Sequence, residues 1–211
     1  MKKATLYLCA AVVLAWAAAA CAQEPAKRKF EIVPYGGGAW SSGYDVLLGA
    51  QQGTIETRGS AMWGVALDYT VRDSLTQLEI LYNRQDTQMT LQLGGEETDI
   101  SDVSIEYLHL GALFGVEKDN VVWFTSLSLG TARLVLEEGK TDDEWRFSMI
   151  FGLGAKYYFN DRVGLRLQGR APYMFVEDSG SYACGDLGCL KSAGGRGVWQ
   201  FDVSLGLTVR L

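Results

Sequence analysis

The chain has 211 residues, a net charge of −6 and a pI near 4.9. That length suits one ordinary domain, and 48% hydrophobic with 21% charged residues excludes a disordered chain. The acidic balance argues against a nucleic-acid-binding surface, and 25 glycines against 3 prolines exclude a proline-rich linker.

The first segment reads as an address. Lys2 and Lys3 precede an apolar run from Leu6 to Ala20, followed by small residues and then a polar stretch from Gln23 to Lys29. This is the pattern of a secretory signal peptide over residues 1–22, leaving 23–211 as one domain. Ala20-Cys21-Ala22 fits small-x-small cleavage, with Gln23 as the first mature residue. A second reading places lipoprotein processing at Cys21, without the usual leucine three positions earlier.

Beyond residue 22 the hydrophobic period is two. No stretch there holds the ~18 apolar residues of a membrane helix. Alternation predicts strands at Phe30 to Trp40, Ser60 to Val71, Leu75 to Arg84, Val103 to Phe114, Val121 to Leu136, Trp145 to Phe159, Val163 to Val176 and Trp199 to Leu211. The pattern is clearest where Trp145, Phe147, Met149, Phe151 and Leu153 share one parity, and where Trp199, Phe201, Val203 and Leu205 do. In the fourth segment Ile105 and Tyr107 fit one parity while Leu108, Leu110 and Phe114 fit the other, so a bulge near His109 is expected.

Short connections at 72–74, 117–120 and 160–162 alternate with long ones at 41–59, 85–102, 137–144 and 177–197. Strands joined in this way predict an all-β fold, an eight-stranded antiparallel up-and-down transmembrane β-barrel. Large aromatics crowd the apolar parity, and an eight-stranded interior has room only for side chains. The apolar face is therefore assigned outward, to lipid; a soluble lipocalin-like binder is the inverted alternative.

On this reading the interior charges are Glu31, Asp68, Glu79, Glu106 and Asp202 against Arg146, Lys156, Arg166, Arg170 and Arg210. They read as a self-paired charged core, the alternative being a gated conduit. Trp63, Tyr82, Trp145, Tyr173 and Trp199 fall near the loop end, and Tyr69, Trp123, Tyr157 and Phe159 near the turn end. They are expected to form two interfacial aromatic girdles.

Cys184 and Cys189 sit in the last long loop, and an oxidising compartment favours a disulfide between them over a metal site or a redox pair. His109 is the only histidine, and no Ser-His-Glu spacing, HExxH, P-loop or nucleophile elbow is present, so no catalytic residue, metal or cofactor is assigned. Acidic loop residues such as Glu96, Glu97, Asp99, Asp142 and Asp143 read as solvated, with divalent cations the alternative.

The segments FEIVPYGGG (30–38), LEILYNRQDTQM (78–89), VSIEYLHLGALF (103–114), FGLGAKYYFNDRVGLRLQGR (151–170) and WQFDVSLGLTVRL (199–211) carry a family resemblance. The chain resembles the small outer-membrane β-barrel proteins of Gram-negative bacteria, the OmpA/OmpW-like β-barrel-domain superfamily. The resemblance implies integral outer-membrane localisation, with outer-membrane lipids, lipopolysaccharide and the outer-membrane assembly machinery as partners. The resemblance speaks for fold and location and not for activity; the role read for the chain is non-enzymatic, structural or surface-interaction, through the long loops. A narrow channel for ions or small apolar solutes is the alternative, and a lipid A-modifying enzyme a further one.

Overall fold

The computed structural model describes residues 29–48, 51–71, 75–93, 96–118, 120–136, 144–175, 181–185, 188–192 and 197–211. The predicted signal segment, 1–22, and the acidic residues at 137–143 lie outside the described residues. In chain order the strands are β1 (Phe30–Ser41), β2 (Tyr44–Leu48), β3 (Gln51–Thr57), β4 (Ser60–Thr70), β5 (Thr76–Leu93), β6 (Glu96–Lys118), β7 (Val121–Leu136), β8 (Glu144–Tyr158), β9 (Val163–Met174), β10 (Ser181–Gly185), β11 (Gly188–Ser192) and β12 (Val198–Arg210).

Eight of them, β1, β4, β5, β6, β7, β8, β9 and β12, pair antiparallel with their neighbours, and β12 closes on β1 with Arg210 opposite Glu31. The result is a closed up-and-down barrel. Tight connections mark one end. Asn120 takes a left-handed φ of 59°, which asparagine tolerates better than most residues. In the next turn Asn160 Oδ1 accepts from the backbone N–H groups of Arg162 and Val163, both at 2.9 Å.

At the other end much of the predicted long loops at 41–59, 85–102 and 177–197 is strand among the described residues. β2 and β3 form a hairpin whose second strand pairs with β5, from Thr57 opposite Met89 to Gly53 opposite Leu93. The β10–β11 hairpin pairs onto β2, Lys191 opposite Leu47. β5 and β6 continue as a long hairpin to Leu93 opposite Glu96, so most of 85–102 is paired backbone. The predicted irregular connections are thus corrected to a second, loop-end sheet wall. It satisfies backbone hydrogen bonds that a bare loop would leave to water.

The bulge also moves. β6 keeps one inward parity through Val103, Ile105, Tyr107 and His109, with Leu108, Leu110 and Phe114 outward. The register shift lies at Met89/Thr90, where Ser101 and Asp99 face consecutive residues of β5. Both parities of β6 are apolar because its inner face lines a small apolar cluster, with Val33, Ala66, Leu81, Ala132 and Ile150, while its outer face joins the apolar exterior.

That exterior is continuous. Leu78, Ile80, Leu108, Leu110, Leu127, Leu129, Phe151, Leu153, Val203 and Leu205 are all exposed, Leu110 at 63% and Leu153 at 68%. The interior meanwhile holds Glu31, Asp68, Glu79, Lys156, Arg166, Arg170 and Asp202, all buried. Apolar outside and charged inside inverts the order of a water-soluble barrel and is the arrangement of a barrel in lipid.

Candidate functional site

The inward parity concentrates charge toward the turn end. Lys156, on β8, reaches across the lumen to Glu31 Oε2 (2.6 Å), Asp68 Oδ2 (2.7 Å) and Gln77 Oε1 (2.6 Å). Arg166, on β9, donates to Asp68 Oδ2 (3.2 Å) and to Glu79 Oε2 (2.6 Å). Arg170 donates from Nε to Asp202 Oδ1 (2.8 Å) and from Nη1 to the Tyr35 hydroxyl (2.9 Å). Arg210 Nε and the Tyr158 hydroxyl both donate to Glu31 Oε1 at 2.9 Å.

Aromatic faces complete the solvation of these cations. Phe124 lies under Arg166 (4.8 Å) and Lys156 (5.9 Å), Tyr35 under Arg170 (4.7 Å) and Tyr158 under Arg210 (3.5 Å). Four bases thus meet the four acids Glu31, Asp68, Glu79 and Asp202. A charge in so dry a place is tolerated only when it is paired and hydrogen-bonded, which is how this set is built.

Small residues make the room. A Cβ on Gly130 would lie 2.7 Å from His109 Cα, and one on Gly64 would strike the Tyr35 hydroxyl. Farther toward the loop end come neutral groups. His109 is buried with Nε2 2.7 Å from Ser148 Oγ and Nδ1 3.3 Å from Ser128 Oγ. Tyr107 donates to Gln200 Oε1 (2.6 Å), Gln200 bonds to Gln85, and Gln85 donates to Ser60 Oγ (2.9 Å).

The sequence-assigned interior set divides. Arg146 is half-buried on the inward register of β8, in line with buried Ser148 and Ile150. Glu106 is a correction: it stands on the outward parity of β6, between outward Leu108 and Ser104's hydrogen-bonding partners on β5. There Arg84 Nη1 (3.1 Å), Arg133 Nη1 (3.2 Å) and the Tyr82 hydroxyl (3.3 Å) hold it. It faces outward because β6 carries no bulge at His109, so the parity of Leu108 extends to residue 106. Sequence reasoning missed the neutral partners Tyr35, Gln77 and Tyr158, which the strand parity of Glu31, Glu79 and Lys156 places inward. It also missed Arg84 and Arg133.

The aromatics assigned to the girdles lie on the outward parity of their strands, with exposed Phe159 just past the end of β8. Toward the loop end Trp63 contacts Tyr82 (5.8 Å) and Tyr173 contacts Trp199 (4.7 Å), with Trp145 exposed beside Arg133. At the turn end Tyr69 packs on Phe30 (4.9 Å) and Tyr157 on Phe159 (5.3 Å), with Trp123 exposed. Cys184 and Cys189 are directly opposite one another in the β10–β11 hairpin.

No family model and no curated protein matches the chain. Solved structures do. Neisserial surface protein A aligns with a TM-score of 0.59 at 15% identity, covering 86% of this chain and 97% of that one. The outer membrane protein OprG from Pseudomonas aeruginosa gives 0.55 at 13%, covering 87% and 98%. The outer membrane protein AlkL gives 0.54 at 11%, covering 90% and 94%. The chain has the fold of a small eight-stranded outer-membrane β-barrel. At these identities the likeness speaks for the fold alone.

Proposed function

We propose that this chain is an integral outer-membrane protein with a non-enzymatic, structural or surface-interaction role, performed by its loop-end sheet. The turn end, where Leu211 N donates to Phe30 O at 2.8 Å, then faces the periplasm. The observation that carries the reading is the lumen itself. It is closed by buried ion pairs spanning β1, β4, β5, β8, β9 and β12, so the barrel is a pedestal and the variable work falls to what stands on it. The stacked hairpins β2–β3 and β10–β11 give that platform more order than free loops have. A Cys184–Cys189 disulfide fits the outermost hairpin, because residues directly opposed in an antiparallel pair lie at about the Cα spacing a disulfide needs.

The test is outer-membrane separation followed by denaturing gels with and without heating. A heat-dependent shift in the outer-membrane fraction supports the reading; soluble, unshifted periplasmic protein overturns it. Deleting residues 181–192 is expected to leave the heat shift intact and to abolish surface binding.

A narrow conduit is the second reading. Asp68 Oδ1, Asn83 Oδ1 and Asp202 Oδ2 are buried acceptors without a protein partner among the described residues, the chemistry of a wetted lumen. Steady conductance in planar bilayers, altered by Arg166→Ala or Glu79→Ala, would favour it.

A further inference from the structure

The strands of the barrel are not equally secured. Of the chain's three prolines, Pro34 stands in β1 and Pro172 in β9. Away from β12 each keeps its register, Pro34 opposite Val65 of β4 and Pro172 opposite Ile150 of β8. Toward β12 each interrupts it. The β1–β12 pairs skip from Ile32–Val209 to Tyr35–Gly206, and the β9–β12 pairs skip from Tyr173–Trp199 to Arg170–Asp202.

Proline has no N–H to give, and a residue in an antiparallel pair directs its N–H and C=O to the same neighbour. Continuing the register puts Leu207 opposite Pro34 and Gln200 opposite Pro172. The carbonyls of Leu207 and Gln200 therefore lose their ladder donors, one on each side of the same strand. Proline is ordinarily kept to sheet edges for this reason.

Leu207 lies in the apolar band between Leu205 and Val209. The inward residues beside its gap, Val33 and Thr208, are both buried, so water is poorly placed to replace the missing donor. Side chains add to the deficit. Asp202 Oδ2 and Thr208 Oγ1, both on β12, are buried without a partner among the described residues. β7 is the contrast: its pairs with β6 and with β8 run from Val121 to Leu134 without a skip.

The lumen meanwhile holds the ring together without β12. Lys156 of β8 ties to Glu31 of β1 and Asp68 of β4, and Arg166 of β9 ties to Asp68 and to Glu79 of β5. These ties cross the lumen and join the strands that lie on either side of β12. β12 itself makes one ion pair with each neighbour, Asp202 with Arg170 and Arg210 with Glu31.

We propose that β12 is a releasable strand. It detaches from β1 and β9 while the rest of the sheet stays in place, spanned by Lys156 and Arg166. Two prolines build the device by giving both seams of one strand the hydrogen bonding of a sheet edge. This rests on the membrane reading above, because water around a soluble barrel would supply the missing donors.

The full chain, refolded in phosphatidylcholine vesicles and checked for its heat-dependent gel shift, is followed by hydrogen–deuterium exchange read by mass spectrometry. Peptides over 199–211 are expected to exchange about tenfold faster than peptides over 121–134, the difference that one or two hydrogen bonds make. The double variant Pro34→Val/Pro172→Val returns both N–H groups. It is expected to slow 199–211 about tenfold and to leave 121–134 unchanged. If the double variant loses its heat shift, each single variant is expected to slow 199–211 in part.

Equal exchange of the two segments in the wild type overturns the proposal. So does unchanged exchange of 199–211 in the valine variants, or equal slowing of 121–134, which would mark a general gain in stability. Wild-type protein lacking a heat shift would instead overturn the membrane reading, so the two failures are distinguishable.

Discussion

Lys156 and Glu31 meet at 2.6 Å across the barrel lumen, although 125 positions separate them in the chain. Lys156 is also the meeting point of Asp68 and Gln77, so its ammonium directs all three donors at protein acceptors.

Removing that ammonium is expected to be severe. Lys156→Met leaves Glu31 and Asp68 with one fewer cation each in a dry lumen, and breaking a buried pair from one side costs about 3–5 kcal/mol. Urea unfolding of the barrel refolded in phosphatidylcholine vesicles measures this directly. A loss below ~1 kcal/mol would mean that the lumen is wet enough to screen the carboxylates.

Arg166 and Glu79 are expected to behave as a coupled unit. Arg166→Ala takes from Glu79 its ion-pair partner and Glu79→Ala leaves Arg166 with Asp68 alone, whereas the double change removes both charges. A double-mutant cycle should therefore return a coupling of about 1–3 kcal/mol. Strict additivity would argue against the ion pair.

On the outside the expectation reverses. Leu110 is exposed in mid-band, and Leu110→Arg is expected to cost about 2–4 kcal/mol in a bilayer. The same substitution should be nearly neutral in a detergent that deforms around the charge. Equal effects in both settings would count against a lipid-facing Leu110.

Gly130→Val tests the packing of the upper lumen. Its added side chain would meet His109 and the Leu108 backbone, and over-packing of this kind costs about 1–3 kcal/mol. His109→Ala in the Gly130→Val background is expected to recover part of that loss. An unaltered unfolding midpoint for Gly130→Val alone would mean that β7 can shift away.

Cys184 and Cys189 are expected to resist maleimide labelling on intact cells until a reductant is added. Labelling without reductant would show free thiols and remove the disulfide from the loop-end hairpin.

Much of this was legible from alternation alone, because a strand between lipid and a charged lumen must sort its side chains by parity. Asp68, Lys156 and Asp202 read correctly as inward for that reason. β6 was harder. Ile105 and Tyr107 line an apolar patch of lumen while Leu108 and Leu110 face out, so neither parity looked polar and Glu106 was assigned to the wrong side. β2, β3, β10 and β11 carry no strong alternation, since none of them separates lipid from lumen. Their pairing comes from the strands beneath them, as β3 continues along β5. The outward arginines were invisible because the level at which a strand leaves the apolar band depends on register with its neighbours.

The distribution of charge along the chain has a consequence for biogenesis. Glu31, Asp68 and Glu79 come from the first three barrel strands, while their cationic partners Lys156 and Arg166 come from β8 and β9. An incomplete arc of early strands therefore holds a surplus of unneutralised carboxylates, and a late arc a surplus of cations. The early carboxylates meet their cations only once β8 and β9 are in place. A sheet that stops short of β8 therefore carries buried-side acids without partners, a state that lipid disfavours.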